Sequence, residues 1–403
     1  MKKQLLAAFI LLAIVPVVAS NGEECTTAII AGNATVDGAP ILWKNRDTDV
    51  LSNKVVFVSE KPYSYLGVVN AKAPAGRIVW GGLNEAGFGI INSVAYNLPQ
   101  KTGEGEDLEG LLMADALRTC ATVTDFENYL KRNLGPDLGA RTNFGVMDAE
   151  GESAIFEVHN HGYTRLNARD SGRNLLLNTN FSRSGTPDQG AGYLRFDREE
   201  QLFAASPQGG VSVEFILQTA ARDLGHPLVQ HLPAAAWKEL PEDRPYWVHA
   251  NYTINRASTA SVLVIQGVRK GDDPRKAVLW VLLGEPVCSI AVPLWVAAGE
   301  TPAEMREGDE APISREAARL KDLLRPLKGR DRKEYVNVVR LDNRAGTGWL
   351  PANLQLERDI LRETELLLRG NPTREQMAEF QKTAAARVLA RLKAIDQPPS
   401  SSE

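Results

Sequence analysis

The sequence predicts an α+β fold in which two sheets carry helices on their outsides. Three observations carry that reading. Short runs rich in β-branched and apolar residues come in three groups, segments of helical spacing separate the groups, and the chain finishes in helices. At 403 residues the chain can form one large domain or two smaller ones. An apolar content of 43% beside 24% charged residues is that of a globular protein with ample core. A formal net charge of −4 gives no electrostatic case for nucleic acid as a partner.

The first group of strands is expected over residues 26–31, 41–43, 54–58, 77–80 and 89–94. Gly32, Asp37-Gly38 and Gly81-Gly82 punctuate it, and Asp37-Gly38 is a hairpin signal. Leu108, Leu111, Leu112 and Leu117 give helical spacing over 108–119. Thr124 is the expected cap of a helix over 125–133, with Glu127 completing a capping box. Strands return over 143–147, 154–158, 163–167 and 175–178, then helices over 193–204 and 211–221. A third strand group covers 258–268, 277–283 and 289–296. Helices over 314–327, 353–368 and 373–394 end the chain, before a Ser/Pro-rich tail from Pro398. The Gly/Glu/Pro-rich stretch 298–312 is the best candidate for a hinge. No internal repeat is evident.

Residues 1–19 read as a signal peptide. Lys2 and Lys3 precede an apolar run over 5–19 that only Pro16 interrupts, and Val17 and Ala19 suit the cleavage positions. The run is short for a membrane span, so the mature protein is expected to be exported, periplasmic or secreted, without stable membrane insertion. The organisation expected is a signal peptide over 1–19, a short propeptide over 20–24, a catalytic domain over 25–298 and a helical C-terminal extension over 299–403.

All three cysteines, Cys25, Cys120 and Cys288, lie beyond the leader. An odd count in an exported protein suggests one free thiol. Cys120 and Cys288 can pair or stay free, since spacing does not give connectivity. Cys25, a few residues behind the leader, has two plausible fates. It can be lipidated, giving a non-catalytic lipoprotein or binding protein, or it can become the first residue of a mature enzyme. Lipidation wants small residues just before the cysteine, where Glu23-Glu24 stand.

An N-terminal cysteine carries its own base. Its α-amine has an unperturbed pKa near ~7.7–8.0 and can take the thiol proton, leaving the attacking thiolate. The same thiol can attack the Glu24 carbonyl and release the preceding segment. Such a site needs a group to hold the amine and donors for the oxyanion. Asp47, behind the second strand of the hairpin, would return beside Cys25. Its other reading is an ordinary turn carboxylate.

Three stretches taken in order, Cys25-Thr26-Thr27-Ala28-Ile29-Ile30, Leu42-Trp43-Lys44-Asn45-Arg46-Asp47-Thr48 and Gly82-Leu83-Asn84-Glu85-Ala86-Gly87, resemble the N-terminal-nucleophile (Ntn) hydrolases of the peptidase C45 type. That group includes acyl-CoA:6-aminopenicillanic acid acyltransferase. More distantly the chain is similar to bile salt hydrolases, penicillin V acylases and acid ceramidase. Leu283-Gly284-Glu285-Pro286 and Val292-Pro293-Leu294-Trp295 close the resemblance, which runs from Cys25 to about Trp295.

The resemblance implies a four-layer αββα sandwich and a cysteine amidase that cleaves linear C–N amide bonds of an acylated small molecule through a thioester. An acyltransferase is the adjacent alternative, and an inactive relative a further one. Matched positions imply Cys25 as nucleophile, Asp47 on its amine, and Asn180 as oxyanion donor. The resemblance further implies that Arg256 supports the nucleophile's charge and that Asn92 and Ser93 lie beside the oxyanion. Lys44 stands where bile salt hydrolases carry Arg, and the two differ in donor geometry. No cofactor is implied. His159 and His161 lack further ligands at metal spacing, so zinc is not expected. Trp43, Trp80, Trp280 and Trp295 read as core.

Overall fold

A computed structural model describes residues 24–73, 77–99, 107–327, 329 and 332–395. The expected signal peptide over 1–19, the propeptide up to residue 23, the stretch Gly103-Glu104-Gly105, which the sequence reads as a loop with no Lys-Ser/Thr pair behind it to cradle phosphate, and the tail from Pro398 lie outside the described residues.

The first half runs β1 (Glu24–Ile30), β2 (Ile41–Asp47), β3 (Asn53–Val58), β4 (Tyr65–Asn70), β5 (Gly81–Asn84), β6 (Gly89–Val94), α1 (Glu109–Thr119), α2 (Val123–Asn133), β7 (Arg141–Met147), β8 (Ser153–His159), β9 (Gly162–Asn167) and β10 (Leu175–Asn178). The second half runs α3 (Tyr193–Ala204), α4 (Val213–Phe215), β11 (Trp247–His249), β12 (Thr259–Gln266), β13 (Val278–Leu283), β14 (Val292–Leu294), α5 (Ala303–Arg306), α6 (Pro312–Leu324), β15 (Tyr335–Asn337), α7 (Leu350–Arg369) and α8 (Arg374–Ala394). The result is a mixed structure with two large antiparallel sheets. One has six strands in the order β10-β1-β2-β12-β13-β14, and the other runs β3 to β9 in sequence order.

Side-chain alternation along the strands sorts residues between two cores. Leu66, Val68, Ile91, Met147 and Ile155 join the core of the six-stranded sheet. Their strand neighbours Tyr65, Val69, Ile90, Val146 and Phe156 join a second core under α1 and α2. The two sheets approach closely at Gly145, where a Cβ would stand 2.9 Å from the Ile29 side chain on β1. On the far side of the six-stranded sheet, Trp43 stacks on Phe203 of α3. Leu320, Leu324, Ala384 and Val388 from α6 and α8 bury into the same core as Leu279 and Leu294.

Several boundaries differ from the sequence expectations. Residues 65–70 form a strand that Gly67 disguises by breaking the alternation. The run 77–80 is irregular, and the strand begins instead at Gly81. Gly82 is part of that strand, not punctuation, because a Cβ there would meet the Leu66 carbonyl oxygen at 2.2 Å. The helix expected over 211–221 is the short α4 followed by a π-helical turn, Ile216–Ala220. The stretch 298–312 contains α5, whose Met305 is fully buried in the main core. Within 299–403, β15 pairs with β11. Cys120 and Cys288 do not pair: both are free, one in each core. Among the described residues no helix is long and apolar enough to cross a membrane.

The cap of α2 is Thr122, not Thr124. Thr122 accepts from the Asp125 N–H at 3.0 Å, and the Asp125 carboxylate accepts from the Thr122 N–H at 3.0 Å. Starting the helix at Val123 is what turns Phe126 and Leu130 into the core. Glu127 is used elsewhere, accepting from Tyr163 and Arg165. Thr122→Ala should therefore cost about 0.5–2 kcal/mol in urea unfolding. Exposed Thr124→Ala should stay within about 0.5 kcal/mol.

Candidate active site

The site lies at the open end of the β1–β2 hairpin. The connection over 31–40 closes the other end, with Asp37-Gly38 bending inside it and Gly38 at φ 77°. The register sets Glu24 opposite Asp47, Cys25 opposite Arg46 and Thr27 opposite Lys44. Directly opposed residues share a face of a sheet. Cys25, Thr27, Lys44 and Arg46 therefore belong to the face that meets the seven-stranded sheet. Glu24, Thr26, Asn45 and Asp47 belong to the face toward α3.

On the α3 face four charges converge. Arg195, 1% exposed on α3, donates from Nη2 to the Glu24 carboxylate at 2.9 Å and to Asn180 Oδ1 at 2.8 Å. Its Nη1 donates to the Cys25 carbonyl at 2.7 Å and to Thr26 Oγ1 at 2.9 Å. Arg256, in the turn before β12, pairs with the same Glu24 carboxylate and donates to Asp47 Oδ2 at 3.4 Å. Thr259 Oγ1 donates to Asp47 Oδ1 at 2.7 Å. Burial pushes the Glu24 carboxyl up, but Arg195 and Arg256 outweigh it and hold it below its ordinary value. For the fully buried Asp47, burial wins over the two arginines and raises the carboxyl.

Asn180 sits where this cluster meets Cys25. Its Oδ1 accepts from the Cys25 backbone N–H at 3.0 Å, and its Nδ2 donates to the Val94 carbonyl at 3.0 Å. The orientation of the amide follows from its neighbours. Two donors, Cys25 N–H and Arg195 Nη2, need an oxygen there, and the Val94 carbonyl needs an N–H. Asn180 thus presents its acceptor, not its donor, to the Cys25 nitrogen.

Toward the other sheet, Lys44 is fully buried. It donates to the Trp80 carbonyl at 2.9 Å and to Asn92 Oδ1. Asn92 Nδ2 donates onward to Glu109 Oε2 at 2.8 Å, and Glu109 Oε1 accepts from the Arg141 N–H at 3.1 Å. Arg46 donates to Asn53 and Asn70, and its guanidinium lies 4.5 Å from the Trp80 ring centroid. Ser93 Oγ accepts from Asn143 and Asn178 at 3.3 and 3.2 Å.

The structure thus brings Cys25, Asp47, Asn180 and Arg256 to one hairpin end. Lys44 and Asn92 are bonded to each other on the inter-sheet side, and Ser93 lies beside Asn178. Sequence reasoning missed Arg195, the side chain of Glu24 and Arg46. On α3 the buried residues are Arg195, Glu199 and Phe203, so a helical spacing of four was present. Two of its three members are charged, however, and an apolar stripe is what the eye seeks. Cys25 itself is 1% exposed. A cleft of about 1100 Å³ lies elsewhere, lined in part by Tyr63, Glu85, Arg275 and Arg374. Among the described residues no group of three or more His, Cys, Asp or Glu side chains converges to hold a metal ion.

No protein-family model matches the chain, and no curated protein matches it. Among solved structures it is similar to a mutant of conjugated bile acid hydrolase from Clostridium perfringens, at 13% identity and a TM-score of 0.36, covering 64% of this chain and 89% of that one. It is similar to penicillin V acylase from Agrobacterium tumefaciens at 16% identity and a TM-score of 0.34, covering 67% and 85% of the two chains. The Caenorhabditis elegans orthologue of N-acylethanolamine-hydrolyzing acid amidase gives 16% identity and a TM-score of 0.31, covering 40% and 71%. Likenesses this distant say nothing of what this chain does.

Burial and nearby Asp107 raise the Glu109 carboxyl from 4.5 to about 7. Between those values the folded protein keeps a proton that the unfolded chain releases. Stability therefore falls as pH rises through that window and is level on either side. Glu109→Gln should remove about 1–3 kcal/mol of that fall, read as the urea midpoint across the window.

Proposed function

We propose that this chain is an exported cysteine amidase that hydrolyses linear C–N amide bonds through an acyl-thioester on an N-terminal Cys25. The observation that carries the reading is the convergence on the Cys25 backbone and the Glu24 side chain beside it. Asn180 holds the Cys25 nitrogen, Arg195 holds its carbonyl, and buried Asp47 stands opposite Glu24. These are groups placed around a nitrogen that becomes an α-amine once the preceding bond is cut. The reading includes a four-layer αββα arrangement, with α1 and α2 outside one sheet and α3, α6 and α8 outside the other.

Maturation and turnover use one chemistry. The Cys25 thiol attacks the Glu24 carbonyl carbon, the C–N bond breaks, and the peptide nitrogen leaves as the α-amine of Cys25. Water then cleaves the thioester and releases the segment that ends at Glu24. In turnover the α-amine takes the thiol proton, and sulfur bonds to the carbonyl carbon of the amide. The leaving amine takes that proton as the C–N bond breaks, and water resolves the thioester. Asp47, with Arg256 and Thr259 fixing its oxygens, holds the α-ammonium. Asn180 accepts from the same nitrogen, and its Nδ2 must turn from the Val94 carbonyl to serve the oxyanion. Lys44, Asn92 and Ser93 line the inter-sheet side.

Intact mass of the purified protein should give a chain that starts at Cys25. Cys25→Ala should stay uncleaved, inactive and folded. A fully active chain starting near Ser20, a lipid on Cys25, or turnover by Cys25→Ala would overturn the assignment. Asn180→Ala should lower kcat by about 10²–10³ with little change in KM, because an oxyanion donor acts chiefly in the transition state. Steady-state kinetics on any amide the enzyme turns over would check it, and a wild-type kcat would return Asn180 to a structural role.

A further inference from the structure

Glu24 occupies a position with chemical meaning. Its carbonyl is the group that the Cys25 sulfur attacks in maturation, so a substrate carbonyl must later stand in the same place. The substrate's acyl chain then starts where Glu24 Cα stands. From there the Glu24 side chain leads to a carboxylate held by two guanidiniums, one fully buried and the other 12% exposed. When the segment ending at Glu24 leaves, Arg195 and Arg256 lose that carboxylate. Asp47 alone then faces both, while the new α-amine adds positive charge beside them. A buried cation whose partner is removed is strongly destabilised, so an anion in the vacated place is favoured. A planar guanidinium pair suits a carboxylate in particular.

We propose that the mature enzyme acts on amides whose acyl chain ends in a carboxylate, glutaryl in length, with Arg195 and Arg256 receiving that carboxylate. The backbone carbonyl and the side-chain carboxylate of a glutamate are the two ends of a glutaryl chain, which sets the length. The inference rests on the reading that Cys25 cuts the chain after Glu24. The Cys25 sulfur forms a glutaryl thioester, the amine leaves with the proton first taken from the thiol, and water releases glutarate.

The test compares N-glutaryl, N-succinyl and N-valeryl p-nitroanilides on the cleaved protein. The valeryl chain matches glutaryl in length without the charge. The glutaryl amide should exceed the valeryl amide in kcat/KM by about 10- to 100-fold, the worth of a charge-assisted hydrogen bond. Succinyl should fall below glutaryl because it is too short to reach the arginines. In Arg256→Gln the glutaryl-to-valeryl ratio should drop by about 10-fold, whatever happens to the rates themselves. Equal turnover of glutaryl and valeryl amides by a cleaved protein overturns this inference and leaves the amidase standing. If a cleaved protein hydrolyses neither, protection of Cys25 from iodoacetamide decides: protection by glutarate but not valerate supports the carboxylate site, and no difference removes it. A chain that stays uncleaved overturns both readings.

Discussion

The end of the β1–β2 hairpin is governed by the need to balance buried charge. Two guanidiniums and two carboxylates meet there, Arg195 and Asp47 fully buried, Arg256 nearly so and Glu24 partly open to water, and the buried ions are tolerable only because their partners are fixed. Four separate parts of the chain supply them. The hairpin register sets Glu24 opposite Asp47, α3 delivers Arg195, and the turn before β12 delivers Arg256. A slip of one residue in the β1–β2 pairing would exchange the faces of one strand relative to the other. If β2 were the strand that moved, Lys44 and Arg46 would turn toward α3 and Asp47 toward the other sheet. The charges therefore help specify the register that the apolar residues Ile29, Leu42 and Trp43 also demand.

That register also divides the labour around Cys25. Its backbone amide and carbonyl are held by Asn180 and Arg195, in the cluster toward α3. Its side chain belongs to the opposite face with Lys44 and Arg46, against the seven-stranded sheet. A residue at the open end of a hairpin can thus have its nitrogen managed from one layer and its sulfur from another. The close approach at Gly145 brings the second layer near enough. Asn180 ties the two layers together, accepting from Cys25 and Arg195 and donating to the Val94 carbonyl, and β1 and β2 between them are rigid elements on which a reacting group can be mounted.

Much of this was legible in the sequence, for local reasons. Asp37-Gly38 announced a hairpin, and its second strand did bring Asp47 to the level of Glu24 and Cys25. The strand groups and helix pairs were visible because their periods are short-range. What stayed hidden depends on partners distant in the chain. Gly82 reads as a break and the strand around Gly67 goes unread because the backbone or side chain each glycine must clear belongs to another segment. Thr122 and Thr124 both offer a cap, and only the core's demand for Phe126 chooses between them. Arg195 went unread, since nothing local says that a residue as distant in sequence as Glu24 will pair with a buried arginine on this helix. Asn180 could be named from the sequence as a candidate, but not the orientation of its amide, which Arg195 dictates.

The same charges connect the uncut chain to the proposed enzyme. With Glu24 attached, two positive groups face two negative ones, and Cys25 is shut away from water. Cutting the bond after Glu24 removes one carboxylate and creates an amine, so the balance at the site moves toward positive. A thiol in such surroundings loses its proton more readily, and a developing oxyanion is better tolerated. On the proposed reading the uncut state keeps its buried charges matched, and the cut state leaves excess positive charge beside the thiol. On the proposed reading Glu24 serves as the counter-ion that lets the strand fold with two buried arginines. Its departure turns a stability requirement into an electrostatic one for catalysis. A neutral residue at that position would leave Arg195 and Arg256 facing Asp47 alone during folding, before any chemistry had begun.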